Sequence, residues 1–116
     1  MFKSKLIFSL VLFVSVIFLV SSASAASKPY MVGTKGLLDC NYPTHPVMVD
    51  VHGARTVWID GIKARKGISF SNATRWFIHN PRTYKKASNN RKIKIVMSGK
   101  GGTTRKAYYF MCHPAS

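Results

Sequence analysis

Valine occupies every second position in Val47-Met48-Val49-Asp50-Val51-His52. Successive side chains of a strand point to opposite faces, so Val47, Val49 and Val51 share one face, and Met48, Asp50 and His52 share the other. The same alternation opens the stretch Lys92 to Ser98, with lysines at 92 and 94 and isoleucines at 93 and 95. Shorter β-branched or aromatic pieces run over Thr56–Ile59, Gly67–Ser71, Arg75–His79 and Arg105–Cys112. Turn residues separate them: His52-Gly53-Ala54-Arg55, Asp60-Gly61, Asn80-Pro81, Gly99-Lys100-Gly101-Gly102 and His113-Pro114.

Beyond the N-terminal apolar run, no segment sustains a period near 3.6, and strand-sized pieces recur about every ten residues. This predicts an all-β chain, a small single-domain sandwich or barrel of short antiparallel strands. The glycine turn at 99–102 predicts a hairpin of the last two strands. Along the final strand, Tyr108, Phe110 and Cys112 fall on one face, expected to point inward. Ala107, Tyr109 and Met111 fall on the other. The segment 82–90 (RTYKKASNN) has little apolar content and no alternation. It reads as a long exposed loop or one short helical turn that continues into Arg91 and Lys92.

The first 25 residues read as a targeting signal. Lys3 and Lys5 precede a 15-residue run from Leu6 to Val20, which only Ser9 and Ser15 interrupt. A small-residue cleavage site follows at Ala23-Ser24-Ala25. The run is shorter than the ~20 apolar residues of a spanning helix, and no basic cluster follows it. The expectation is a cleaved signal peptide over 1–25, a secreted extracellular protein, and one cationic β-domain over 26–116.

Export changes the meaning of the two cysteines. Cys40 and Cys112 lie 72 positions apart, and an even count in a secreted chain reads as a disulfide. A loop of that length gives about 4 kcal/mol in the chain-entropy account. This matters because a small domain buries a smaller share of its unfolded surface, about 60–65%, than a large one. Catalytic dithiols usually sit as CxxC.

The full chain carries 18 Lys+Arg against 3 Asp+Glu, a formal net charge of +15. The chain contains no Glu, which excludes paired Glu carboxylates, HExxH metalloprotease chemistry and calcium loops of the EF-hand type. The charge is also uneven. From Ala26 to Asp60, Lys28, Lys35 and Arg55 balance Asp39, Asp50 and Asp60. From Gly61 to Ser116 there are thirteen bases and no acid. Such a half predicts a surface that faces a polyanion. The densest part lies between Arg82 and Lys94. The residues expected to bind anions are Arg82, Lys85, Lys86, Arg91, Lys92, Lys94, Lys100, Arg105 and Lys106.

Candidate catalytic chemistry is sparse. His45, His52, His79 and His113 lie at no metal-ligand spacing, and no metal or other cofactor is expected. The disulfide would bring the region of His45 near His113, and such a pair could serve acid–base cleavage of RNA without a carboxylate. No GxSxG is present. Asn72-Ala73-Thr74 is a glycosylation sequon. Most aromatics fall inside the alternating pieces and are expected in the core, with Tyr84 as the exposed exception.

Three functions are compatible with an exported, disulfide-closed, cationic domain. The first is antimicrobial or toxin-like binding of anionic cell envelopes, with nucleic acid or sulfated glycan as other possible polyanions. The second is a binding module or enzyme inhibitor that inserts the 82–94 loop into a protein target. The third is a His-dependent ribonuclease. The first is preferred, and no enzymatic activity is expected.

Overall fold

The computed structural model describes residues 26–113. The proposed signal peptide at 1–25 lies outside them. The described residues form ten strands and one helix. In chain order these are β1 (Tyr30–Met31), β2 (Gly36–Leu38), β3 (Pro46–His52), β4 (Thr56–Ile59), β5 (Ile62–Lys63), β6 (Arg65–Ser69), β7 (Thr74–His79), α1 (Pro81–Ser88), β8 (Ile93–Gly99), β9 (Gly102–Tyr108) and β10 (Phe110–Cys112). The protein is therefore mostly β, as its alternation predicts.

The strands form two sheets. The first has the order β10-β2-β3-β7-β6, with β1 added along the far end of β3. The second has the order β5-β4-β8-β9. Both turn their apolar faces to one core. Val47, Val49 and Val51 of β3 are buried, as are Val57 and Ile59 of β4 and Ile93, Ile95 and Met97 of β8. Met31, Leu38, Ala64, Trp76, Ile78 and Phe110 belong to the same cluster. Ala87 of α1 closes one end of it.

Two of the turn signals act as read. Asp60 and Gly61 connect β4 to β5 as a two-residue hairpin turn, with Ile59 opposite Ile62. Their φ values of 54° and 78° are both left-handed, as a turn matched to strand twist requires. Lys100-Gly101 joins β8 to β9, with Gly99 opposite Gly102.

Four expectations need correction. The strands are not all antiparallel, because β10 pairs in parallel with β2. The chain leaves β9 through Tyr109 and crosses from the second sheet to the first, so β10 runs alongside β2 in the same direction. Gly36 permits this contact: a Cβ there would overlap the Phe110 ring. Segment 82–90 is not a loop or a single turn, but largely a two-turn helix. Its Asn80 side chain accepts from the Thr83 N–H at 3.0 Å, and Pro81 occupies the first turn. The Asn-Pro pair that stops β7 thus also starts α1.

Strand β6, where the alternation of Gly67–Ser71 predicts one buried face, is exposed along its whole length at a sheet edge. Finally, the aromatics are not mainly core. Trp76 and Phe110 are buried, whereas Tyr30, Tyr42, Phe70 and Tyr109 are exposed. Tyr84, the expected exposed exception, packs against the core cluster. Its ring meets the His45 ring edge-on at 4.9 Å.

Cys40 and Cys112 form a disulfide, with Cα atoms 5.6 Å apart. It ties the end of β10 to the segment just after β2. Such a bridge indicates an extracellular or otherwise oxidising environment. Among the described residues, no helix is long and apolar enough to cross a membrane.

β10 is three residues long and pairs only with β2, so the bridge and the buried Phe110 ring are what hold it. Replacing both cysteines by serine should lower unfolding stability by about 4 kcal/mol. Hydrogen exchange should then show early loss of protection at Phe110–Cys112. Unchanged protection there would mean that the parallel pairing holds without the bridge.

Candidate anion-binding surfaces

Helix α1 presents two different faces. Thr83 and Ala87, four residues apart, are buried. Arg82, Lys85 and Asn89 are exposed, and Lys86 is half-buried. Lys85 and Lys86 lie in the last turn, where cations suit the helix dipole. Below the helix sits the Asp60 turn. The Asp60 carboxylate accepts from the buried Thr83 hydroxyl at 3.0 Å and from Lys86 Nζ at 3.2 Å. Together Asp60, Arg82, Lys85, Lys86, Asn89 and Arg91 line an open groove of about 350 Å³. Arg82, Lys85 and Arg91 enter it as exposed cations, while Lys86 is committed to Asp60.

The remaining predicted bases are distributed elsewhere. Lys94 and Arg105 lie on the outer face of the second sheet. Strand register places Lys63, Trp58, Val96 and Arg105 in one cross-strand row there. Trp58, Lys94, Val96, Thr103 and Arg105 share a shallow depression of about 370 Å³. Lys100 is exposed at the tip of the β8–β9 hairpin.

Lys92 and Lys106 join a third surface with Tyr30, Tyr108 and Tyr109, along the seam between β1 and β9. Lys92 Nζ lies 5.1 Å from the centre of the Tyr109 ring, and Lys106 Nζ lies 5.5 Å from that of Tyr108. An ammonium over a ring face is drawn to its quadrupole. Burial pushes the Tyr108 phenol above its ordinary value despite that neighbouring cation.

The nine predicted bases therefore fall into three groups plus a tip. Trp58, Tyr30 and Tyr109 belong to these surfaces: Tyr109 lies on the face expected to point outward, whereas Trp58 was expected in the core. Their exposure depends on which strands lie at sheet edges. The alternation of Trp58 with the buried Val57 and Ile59 was the one available signal.

Each histidine has a contact in the fold. His52 stacks on Tyr30, with ring centres 5.0 Å apart, and its Nδ1–H donates to the Asn72 carbonyl at 2.9 Å. His79 Nδ1 lies 2.8 Å from the Thr44 hydroxyl. His45 packs on Tyr84, and the His113 N–H donates to the Leu38 carbonyl at 2.6 Å. Among the described residues, no three His, Cys, Asp or Glu side chains gather as a possible metal site. Asn72 of the sequon is exposed.

The chain matches no protein-family model, and no curated protein or solved structure matches it either.

Two outcomes test these surfaces. Asp60→Ala removes the acceptor of a buried hydroxyl and leaves a left-handed residue without its polar side chain. It should lose more stability than Asp60→Asn, by about 1 kcal/mol or more in urea unfolding. Equal losses would mean that the charge alone matters. Separately, Tyr108 should ionise above pH 10, the ordinary phenol value. Its raised value makes the native state hold a proton that the unfolded chain releases, so its contribution is present below pH 10 and fades as pH rises further. Absorbance at the phenolate band should lose a component that titrates above pH 10 in Tyr108→Phe.

Proposed function

We propose that the protein binds anionic surfaces through its exposed cations, and acts on cell envelopes in an antimicrobial or toxin-like manner after secretion. One observation carries this reading: none of the three acids is positioned to neutralise the exposed groups. Asp50 is held by Arg75 in a two-point bond, at 2.9 Å to Nε and 3.1 Å to Nη2. Asp60 is held by Lys86 and Thr83. Asp39 accepts from the Asn41 backbone. Among the described residues, the ion pairs are Arg75–Asp50 and Lys86–Asp60. Arg82, Lys85, Arg91, Lys92, Lys94, Lys100, Arg105 and Lys106 remain exposed.

Like charges held this close raise the energy of the folded chain. An anionic surface relieves that repulsion and gains about 1 kcal/mol per base near it, less as salt rises. Because the cations lie on several faces, the domain can accumulate on an extended polyanion in more than one orientation.

The test is growth and dye entry in a panel of bacteria and fungi, with oxidised protein at low and at physiological salt. Killing accompanied by dye entry, and weakened by salt, is expected. Neutralising Arg82, Lys85 and Arg91 together with glutamine should raise the dose required by roughly tenfold or more. Lys86 is spared so that its pair with Asp60 survives. No effect on any organism at either salt would overturn the reading.

A further inference from the structure

Strand register aligns a second feature on the outer face of the first sheet. Met111 of β10 lies beside Leu37 of β2, which lies beside Met48 of β3, which lies beside Phe77 of β7. Arg65 of β6 ends the row. Directly paired residues point to the same side, so four apolar side chains cross four adjoining strands on the face away from the core. Met111 is 46% exposed. Leu37, Met48 and Phe77 are half-buried only by one another and their neighbours.

The row leads to the edge strand β6, where Ile68 is 65% and Phe70 is 45% exposed. These are the wrong side chains for a solvated edge, and exposed apolar groups bordered by charge mark an interaction surface; the Asp50–Arg75 pair lies between them and the row. The rim is cationic. Arg65 of β6 is exposed on this face, and the Arg75 guanidinium, paired with Asp50, lies 5.2 Å from the centre of the Phe70 ring. Ile62, Lys63, Arg65 and Phe77 line a groove of about 390 Å³ beside it.

We propose that this face seats on an anionic lipid bilayer, with Met111, Phe77, Ile68 and Phe70 entering the headgroup boundary and Arg65 and Lys63 binding lipid phosphates. This deepens the envelope-binding reading and rests on it. Charge selects the occupant. A second copy would bring a similarly basic rim against this one, and like-charge repulsion opposes that pairing. A bilayer of anionic lipid offers what the face lacks, an apolar layer bordered by negative charge.

The experiment measures binding of the oxidised, unglycosylated protein to vesicles of phosphatidylcholine alone, and to equal parts phosphatidylcholine and phosphatidylglycerol. Ile68→Ser with Met111→Ser alters two exposed positions, and circular dichroism checks that the fold is kept. Binding to the anionic vesicles should fall at least tenfold, while retention on a sulfated glycan column stays unchanged. In a second arm, Ile68→Trp should be quenched by lipids brominated in the acyl chain. Trp58, on the outer face of the other sheet, should add no quenching of its own, so Trp58→Phe in that background leaves the signal.

Vesicle binding that ignores the double substitution, or quenching that is lost with Trp58, would overturn this face and leave the envelope reading standing. Retention on the glycan without vesicle binding would overturn the lipid assignment. A native dimer that the double substitution converts to monomer would instead assign the face to self-association. Failure on both vesicles and glycan would overturn the envelope reading as well.

Discussion

Repulsion among basic residues is the constraint under which this fold is built. Residues 26–113 carry sixteen bases and three aspartates, so the position of each carboxylate has structural consequences. Asp50 sits directly opposite Arg75 across the β3–β7 pair, and their two-point bond joins the central strands of the first sheet. Its hydrogen bond to Asp50 raises the Arg75 guanidinium above its ordinary value against the opposing effect of burial, so this cation stays charged. Asp60 serves a different connection. It forms the β4–β5 turn in a left-handed conformation and fastens α1 through Thr83 and Lys86. Two of the three acids thus act as internal links, one within a sheet and one between a hairpin and the helix. The carboxylates hold the scaffold, and the bases they leave over define its surface.

Much of this scaffold was legible in the sequence because a strand's period is two. The valines at 47, 49 and 51 and the isoleucines at 93 and 95 could face inward only as one set, and they do. Asp60-Gly61 and the 99–102 turn fixed two hairpins by local backbone preference alone. The disulfide was legible from cysteine count and compartment. The helix was not, because its inward positions are Thr83 and Ala87, with Tyr84 half-buried beside them. Small and polar residues leave no apolar period to detect, and Asn80-Pro81 reads equally as a strand stop or a helix start. The parallel pairing of β10 was hidden for a different reason. It depends on the chain changing sheets at Tyr109 and on Gly36 admitting the Phe110 ring, and both are facts of tertiary packing.

The candidate site was legible in identity but not in arrangement. Composition alone singles out bases with no acids beside them. Sequence proximity between Arg82 and Lys94 suggested one contact region. In the fold, the helix carries Arg82 and Lys85 to a groove with Arg91, strand alternation sends Lys94 to a sheet face with Arg105, and Lys92 meets Lys106 at the seam. Residues two apart on either side of a strand entrance are thereby placed on different surfaces. Register is the missing information, and the same information aligns Met111, Leu37, Met48 and Phe77.

Those alignments give the two sheets different outer chemistry. The second sheet presents polar and cationic positions around one tryptophan. The first presents an apolar row ending in arginine, with Ile68 and Phe70 at its edge. Electrostatic attraction is long-ranged but weakens within about 8 Å at physiological salt. Apolar burial acts only at contact, and salt does not screen it. A domain that carries both can be gathered by its charge from any side and then retained by one face. On the proposed reading, exposed cations on several surfaces need not compete: those on the helix and the second sheet would contribute to approach, whereas Arg65 borders the face that would make contact.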